Sequence, residues 1–106
     1  MVNSYIASIG SCVPHRRMHN NELAEIVDTS DEWIFSHTGI RYRHIAAEDQ
    51  AASDLAVPAS RLAIERAGVS TEDIDLILLA TSTPDYIGLP STASIVQDRL
   101  GASNAG

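Results

Sequence analysis

Residues 28–41 read DTSDEWIFSHTGIR and decide how this part of the chain folds. Thr29 and Glu32 have the spacing of a capping box, in which each side chain satisfies a free N–H at the start of a helix. Asp31 and Glu32 would also place negative charge at the positive end of the helix dipole. Gly39 follows the last helical residues, where a residue in the left-handed conformation commonly closes a helix. The stretch therefore predicts a short helix that starts at Thr29 and ends at Gly39.

Trp33, the single tryptophan of the chain, falls on the first turn of that helix. Tryptophan side chains are mostly buried in folded proteins. Considered by itself, Trp33 is therefore better interpreted as a core residue than as a platform for a ligand.

Before this helix, residues 5–9 have the composition of a strand, which Gly10 would end. Residues 15–19 are polar and rich in basic side chains, which predicts a loop. Asn20 is then expected to cap a short helix with apolar residues at helical spacing. After the tryptophan helix, residues 40–45 mix β-favouring side chains with arginines, which predicts a short extended segment.

The longest predicted helix begins at Ser53 and ends at Gly68. Pro58 conflicts with this prediction, because proline in a helix interior costs about 3 kcal/mol. We therefore expect either a kink near Asp54 or a helix that starts later than Ser53. One further helical turn is expected within residues 70–74.

Residues 76–80 read LILLA, without the polar alternation of a half-exposed strand. Such a run is typical of a strand that is covered on both faces. After the loop 81–90, Ser91 is expected to start a helix that Gly101 ends. The order of elements predicts an α/β layer structure. A strand buried on both faces needs neighbouring strands, so we expect the chain to be part of a larger, mostly parallel sheet with helices on both faces.

The bulk composition excludes several classes of protein. The 106 residues fit one domain without an internal boundary, and 44% hydrophobic with 20% charged residues is ordinary for a globular chain. A net charge of −7 argues against nucleic acid as a partner. Cys12 is the single cysteine, which suits the reducing cytoplasm, and no stretch reaches the roughly 20 apolar residues of a membrane span.

Motifs for metals and nucleotide cofactors are absent from the sequence. The histidines, cysteine and carboxylates do not have the spacing of metal ligands, so no metal site is predicted. There is no G-x-G-x-x-G fingerprint and no P-loop, so no cofactor is expected either. Two arginine pairs, Arg16 with Arg17 and Arg41 with Arg43, could bind an anion, but local salt bridges or a solvated surface are the favoured interpretation.

The chain resembles the start of 3-oxoacyl-[acyl-carrier-protein] synthase III, the beta-ketoacyl-ACP synthase III of the thiolase-like superfamily. The resemblance rests on blocks spread over nearly the whole chain: Asp28–Ile34, Thr38–Arg41, Arg43–Ala46, Ser53–Ala56, Ala67–Gly68, Leu76–Ile77, Ala80–Tyr86 and Leu89–Ser91. The block around Trp33 is specific to this family. The resemblance implies an incomplete first part of the thiolase-like fold.

The resemblance also implies an acyltransferase activity for a full-length parent enzyme. A cysteine takes an acyl group from acyl-coenzyme A, and malonyl-acyl-carrier protein then condenses with it as CO₂ is lost, which initiates fatty-acid synthesis. In the family, this cysteine and the histidine and asparagine that assist it match positions beyond Gly106. No catalytic residue is therefore predicted within residues 1–106, and Cys12 is interpreted as a half-buried apolar residue.

The resemblance implies roles for four residues. The tryptophan that matches Trp33 stacks on the adenine of coenzyme A, and the threonine that matches Thr29 lies close to the same nucleotide. Many members carry an arginine that reaches coenzyme A phosphate where this chain has His37. The residue that matches Leu89 crosses the interface of a homodimer and closes the partner's acyl pocket.

Two alternatives stay open. The parent could be another thiolase-like synthase, such as a polyketide starter enzyme or an enzyme like 3-hydroxy-3-methylglutaryl-CoA synthase. It could also be a non-catalytic binding or dimerisation module that keeps Trp33 alone. Residues that line the acyl pocket, or a cysteine in the following stretch, would separate these alternatives.

Overall fold

The computed structural model describes residues 2–106, which form two compact units. We call Val13–Asp49 the tryptophan unit. The helical unit contains the residues up to Cys12 together with Gln50–Gly106. None of the described helices combines the length and the apolar character that crossing a membrane requires.

The tryptophan unit combines one small sheet with two short helices. Its elements in chain order are strand β1 (Arg16–His19), helix α1 (Asn20–Ala24), helix α2 (Asp31–Thr38) and strand β2 (Tyr42–Ile45). The two strands are antiparallel, with Arg16 opposite Ile45 and His19 opposite Tyr42. Met18 on β1 and Ile34 on α2 are buried.

The predicted extended segment at residues 40–45 is confirmed by β2, whereas the predicted loop at residues 15–19 is wrong. Arg16–His19 is a strand because its backbone pairs with β2, a partner that lies far along the sequence. Met18 is buried in β1, whereas Arg17 before it is exposed and His19 after it is half-buried.

Both helix starts in this unit differ from prediction by one residue. His19, not Asn20, caps α1: its Nδ1 accepts from the backbone N–H of Asn21 at 3.0 Å. Ser30, not Thr29, caps α2, because Ser30 has the extended backbone of an N-cap and its Oγ accepts from Trp33 N–H at 3.1 Å. The capping box predicted for Thr29 and Glu32 is therefore wrong.

The end of α2 follows the prediction. Gly39 has φ of 71°, a left-handed conformation that costs glycine little, and its N–H donates to the Phe35 carbonyl at 2.8 Å. Asp31 and Glu32 lie in the first turn, where their charge favours the helix dipole.

The helical unit is built on two helices that pack against each other. Its elements are helix α3 (Ala52–Ala67), a 3₁₀ turn (Thr71–Asp73) and helix α4 (Thr92–Leu100). Gly68 and Gly101 end α3 and α4, as predicted. Val57, Val96 and Ala102 form its buried apolar core.

Helix α3 runs from Ala52 through Pro58 without interruption. The alternative of a start later than Ser53 is therefore wrong, since the helix begins one residue earlier. Ala51 has no side-chain acceptor, so part of the capping comes from Asp54, whose carboxylate accepts from Ala51 N–H at 2.8 Å.

The segments predicted as strands at residues 5–9 and 76–80 are not assigned as strands within the described chain. Around Leu76, however, Ile77 N–H donates to the Gly106 carbonyl at 3.1 Å and Gly106 N–H donates to the Asp75 carbonyl at 2.9 Å. Gly106 thus forms hydrogen bonds with the residues before and after Leu76. This is the hydrogen-bonding pattern of two parallel strands. Leu78 is 86% exposed, so residues 76–80 are not covered on both faces within this chain.

Candidate functional site

Trp33 lies on the first turn of α2 with 57% of its surface exposed. Its backbone is held by the Ser30 cap, which places the residue at a defined point of the helix. The interpretation of Trp33 as a core residue is therefore wrong for this structure. An exposed indole offers a flat apolar surface on which a nucleotide base could stack.

His37, one helical turn after Trp33, covers part of the indole. The two rings are stacked, with centroids 4.3 Å apart and an angle of 23° between the planes. Nδ1 of His37 lies 2.7 Å from the Trp33 carbonyl oxygen, so Nδ1 carries the hydrogen and donates it. Ser36 Oγ donates to the same carbonyl at 3.0 Å. The structure thus brings Trp33 and His37 together, but as a stacked pair.

An open cavity of about 370 Å³ borders Trp33. It is lined by the residues that precede and start α2, namely Asp28, Thr29, Ser30 and Trp33. Thr29 is half-buried and lines this cavity together with Trp33. A volume of this order is in the range of small-molecule sites.

Asp31, in the first turn of α2, is paired with two residues of the tryptophan unit. Asp31 accepts from Asn20 Nδ2 at 2.8 Å and from Arg41 Nη1 at 2.7 Å. The Asn20 hydrogen bond and, less strongly, the Arg41 charge hold the pKa of Asp31 below its ordinary value, although burial opposes them. The Arg41 guanidinium also lies 3.8 Å from the Phe35 ring centroid, so it is already engaged.

The other arginines of this unit make local contacts too. Arg17 lies over the Tyr42 ring at 4.1 Å and Arg16 is 4.0 Å from Glu22. Arg43 donates to the side chain of the buried Asn20. These contacts favour the local interpretation of the arginine pairs over an anion site.

Leu89 belongs to the helical unit, in the loop that precedes α4. Its side chain is 89% exposed, and its neighbours Tyr86 and Ile87 are exposed as well. The peptide bond between Leu89 and Pro90 is cis. Cys12 is half-buried, as predicted.

Asp85 anchors this loop, a role that the sequence analysis missed. Its carboxylate accepts from the backbone N–H of Ser53 at 3.0 Å, from the Ser53 hydroxyl, and from Thr92 Oγ1 at 3.3 Å. Ser53 and Thr92 are buried on the first turns of α3 and α4. The Ser53 hydroxyl lowers the pKa of Asp85, and burial opposes that effect. No sequence signal joins residues so far apart.

Comparisons with known proteins show what the chain is similar to. The chain is 56% identical over 105 residues to beta-ketoacyl-[acyl-carrier-protein] synthase III of Xanthomonas oryzae, which covers 99% of this chain and 32% of that protein. The chain is a homologue of beta-ketoacyl-ACP synthase III. It spans about a third of the length of the curated relatives it matches. No family model matches the chain.

Solved structures show the fold. The 3-oxoacyl-[acyl-carrier-protein] synthase III of Aquifex aeolicus superimposes with a TM-score of 0.85 at 42% identity, over 97% of this chain and 33% of that one. The priming beta-ketosynthase of the R1128 polyketide pathway gives 0.83 at 38% identity, over 95% and 30%. Residues 2–106 therefore form part of a thiolase-like α/β fold, as predicted.

Proposed function

We propose that the whole protein that contains this chain is a cytoplasmic, homodimeric acyltransferase. It joins an acyl group from acyl-coenzyme A to malonyl-acyl-carrier protein with loss of CO₂ and so initiates fatty-acid synthesis. Residues 1–106 form one continuous portion of its thiolase-like domain. The observation that supports this proposal is the 56% identity to a beta-ketoacyl-ACP synthase III over 105 residues.

The proposed reaction has two steps. A cysteine thiolate attacks the acyl-coenzyme A carbonyl, the new C–S bond forms, and the coenzyme A thiolate leaves. Decarboxylation of the malonyl group then leaves a carbanion, which attacks the enzyme thioester and releases the cysteine. The cysteine and the assisting histidine and asparagine belong to the rest of the whole protein. Residues 1–106 alone are expected to catalyse neither step, and Cys12 is expected to remain unacylated.

Within this proposal, the chain supplies the platform for the coenzyme A adenine. Trp33 is exposed and borders a cavity with Thr29, which supports stacking of the base on the indole beside the threonine. His37 completes the proposed site. Stacking of a base on an aromatic side chain contributes about 1–3 kcal/mol, which corresponds to a change in affinity of roughly 5- to 150-fold.

Replacement of Trp33 tests the platform. Trp33→Ala in the whole protein should raise the KM for acyl-coenzyme A by roughly 5- to 150-fold with little change in the KM for malonyl-acyl-carrier protein. Phe35→Ala is the matched control, because Phe35 is an aromatic residue on the same helix that packs on Arg41. An unchanged KM for acyl-coenzyme A in Trp33→Ala would contradict the proposed stacking of adenine on Trp33.

Leu89 is proposed to reach across the dimer interface and to close the acyl pocket of the partner. Its exposure in this chain supports the proposal, because a large apolar side chain in water is unfavourable unless another surface covers it. Leu89→Phe should shift the preference of the whole protein towards shorter acyl donors. The measurement is kcat/KM over a series of acyl-coenzyme A lengths, and an unchanged profile would rule out the pocket role.

A second candidate function is the priming of polyketide synthesis. The likeness to the R1128 priming ketosynthase, with a TM-score of 0.83, favours it. The two candidates differ in the carrier protein they serve. Assays of the whole protein with the fatty-acid carrier protein and with a polyketide carrier protein would separate them.

A further inference from the structure

His37 is the second aromatic ring of the proposed coenzyme A site, and its position suggests a role other than contact with phosphate. We propose that His37 is a positioning residue: it covers one face of the Trp33 indole and holds the ring so that only the opposite face receives the adenine. This inference rests on the proposed coenzyme A site.

Two observations fix the histidine ring. It stacks on the indole at a centroid distance of 4.3 Å and an angle of 23°, a geometry within the range of stable aromatic pairs. Its Nδ1–H donates to the Trp33 carbonyl oxygen at 2.7 Å, so the helix backbone itself holds the imidazole against the indole. The ring is thus tied both to the side chain and to the main chain of Trp33.

This position has a direct consequence for the ligand. A face of the indole that is covered by an imidazole cannot accept a purine, so the base has one available face. A complex would contain three stacked rings: His37, Trp33 and adenine. Because the indole gives up less rotamer freedom when the base binds, the histidine raises affinity without touching the ligand.

The immediate surroundings favour positioning over phosphate binding. Asp28 lines the cavity, and Glu32 lies in the first turn of α2. Arg41 is already paired with Asp31 at 2.7 Å. Carboxylates in the vicinity repel phosphate, whereas stacking of an uncharged base depends little on them.

The experiment compares two substitutions of His37 in the whole protein. His37→Phe keeps an aromatic ring on the indole but removes the polar nitrogens, and His37→Ala removes the ring. Calorimetric titration measures binding of coenzyme A and of dephospho-coenzyme A, each at low and at high salt. Trp33→Ala is measured alongside, and circular dichroism checks that each variant keeps its helical content.

Positioning predicts a specific pattern. His37→Ala should weaken coenzyme A and dephospho-coenzyme A equally, by about two- to tenfold, while His37→Phe stays within about twofold of the unmodified protein. The loss in His37→Ala should be the same at both salt concentrations, because a stacking contact is not screened.

Other results would overturn the inference. A loss that is confined to coenzyme A, or that disappears at high salt, would assign His37 to phosphate. Equal losses in His37→Phe and His37→Ala would show that the ring stack is not the cause. If both His37 variants bind coenzyme A normally while Trp33→Ala binds it weakly, the positioning role of His37 is wrong, but the proposed coenzyme A site at Trp33 is supported. If Trp33→Ala also binds normally, the proposed site itself is wrong.

Discussion

Two adjacent residues of α2 illustrate how position decides the role of a side chain. Trp33 is 57% exposed, whereas Ile34 beside it is 8% exposed. Successive residues on a helix point about 100° apart, so neighbours can face opposite environments. The larger apolar residue is the one left in contact with solvent, which is the reverse of what burial tendencies alone suggest.

Truncation of these two side chains should therefore have unequal effects on stability. Ile34→Ala removes a buried side chain and should lower the free energy of unfolding by about 2–5 kcal/mol. Trp33→Ala removes mainly exposed surface and should lower it by about 1 kcal/mol or less. Urea unfolding of the two variants measures both values. Equal losses would mean that Trp33 packs into the core after all.

At the scale of secondary-structure elements, Asp85 joins the starts of two helices. Its carboxylate accepts from a free backbone N–H in the first turn of α3 and from Thr92 on the first turn of α4. The Ala51 side chain, at the N-cap of α3, cannot accept a hydrogen bond. Asp85 therefore acts as the capping side chain of α3, although it is distant in sequence. The loop that carries Leu89 is thereby anchored to the helical unit.

This arrangement predicts an acid-sensitive structure. The Ser53 hydroxyl and backbone N–H lower the pKa of Asp85 in the folded state, so the carboxylate stabilises the fold at pH values above the unfolded pKa near 3.8. That stabilisation should be lost as the pH falls through 3.8 and then through the lower folded pKa. Asp31 and Asp54, whose pKa values are also lowered, should add to the same slope.

Asp85→Asn should reduce the dependence of unfolding free energy on pH in this range, as measured by urea unfolding at several pH values. Asp98→Asn, at an exposed position on α4, is the control and should keep the slope. A slope that is unchanged in Asp85→Asn would show that the contacts of Asp85 carry no net stability.

A second element-scale contact depends on the absence of a side chain. Segment 8–10 lies against α3: Ser8 Oγ donates to the Ala63 carbonyl at 2.6 Å, and Arg66 Nη1 donates to the Ile9 carbonyl at 2.8 Å. A Cβ on Gly10 would collide with the Ala59 carbonyl oxygen and lie 2.6 Å from Ala63 N. Only glycine allows the segment to come this close to the helix.

Gly10→Ala should therefore push the segment away from α3 and lower the free energy of unfolding by about 1–3 kcal/mol, the usual cost of overpacking. Ser11→Ala, at the next and exposed position, should change it by less than about 0.5 kcal/mol. Thermal unfolding of both variants makes the comparison. A Gly10→Ala protein as stable as Ser11→Ala would contradict the close approach.

At the scale of the whole molecule, large apolar side chains remain in solvent. In the helical unit the exposed set includes Tyr5, Ile6, Ile9, Leu76, Leu78, Ile87 and Leu89. Several belong to segments that the sequence analysis predicted as strands. Apolar surface of this kind usually marks a site that another protein surface covers.

The chain of 106 residues, purified by itself, should therefore bind the dye ANS and self-associate as its concentration rises. In the whole protein, backbone amides of residues 76–80 should exchange slowly with solvent, because a sheet with covered faces is expected there. Fast exchange of these amides in the whole protein would place the segment at an exposed edge and contradict the predicted sheet.

The sequence alone determined the features that depend on near neighbours. The ends of α2, α3 and α4 at Gly39, Gly68 and Gly101 follow from bonds within one helical turn. The family resemblance also came from the sequence, because its motifs are contiguous. Even so, local signals allowed errors of one residue at the helix starts, where His19 and Ser30 took the capping positions that were predicted for Asn20 and Thr29.

Only the tertiary structure decided which distant groups meet. β1 is a strand because β2 supplies its hydrogen-bonding partners, whereas residues 76–80 have the composition of a strand but few partners in this chain. The exposure of Trp33, its stack with His37 and the bonds of Asp85 likewise depend on how elements pack. Helices satisfy their backbone groups locally, but sheets and buried polar contacts require residues that are remote in sequence, and local pattern does not encode them.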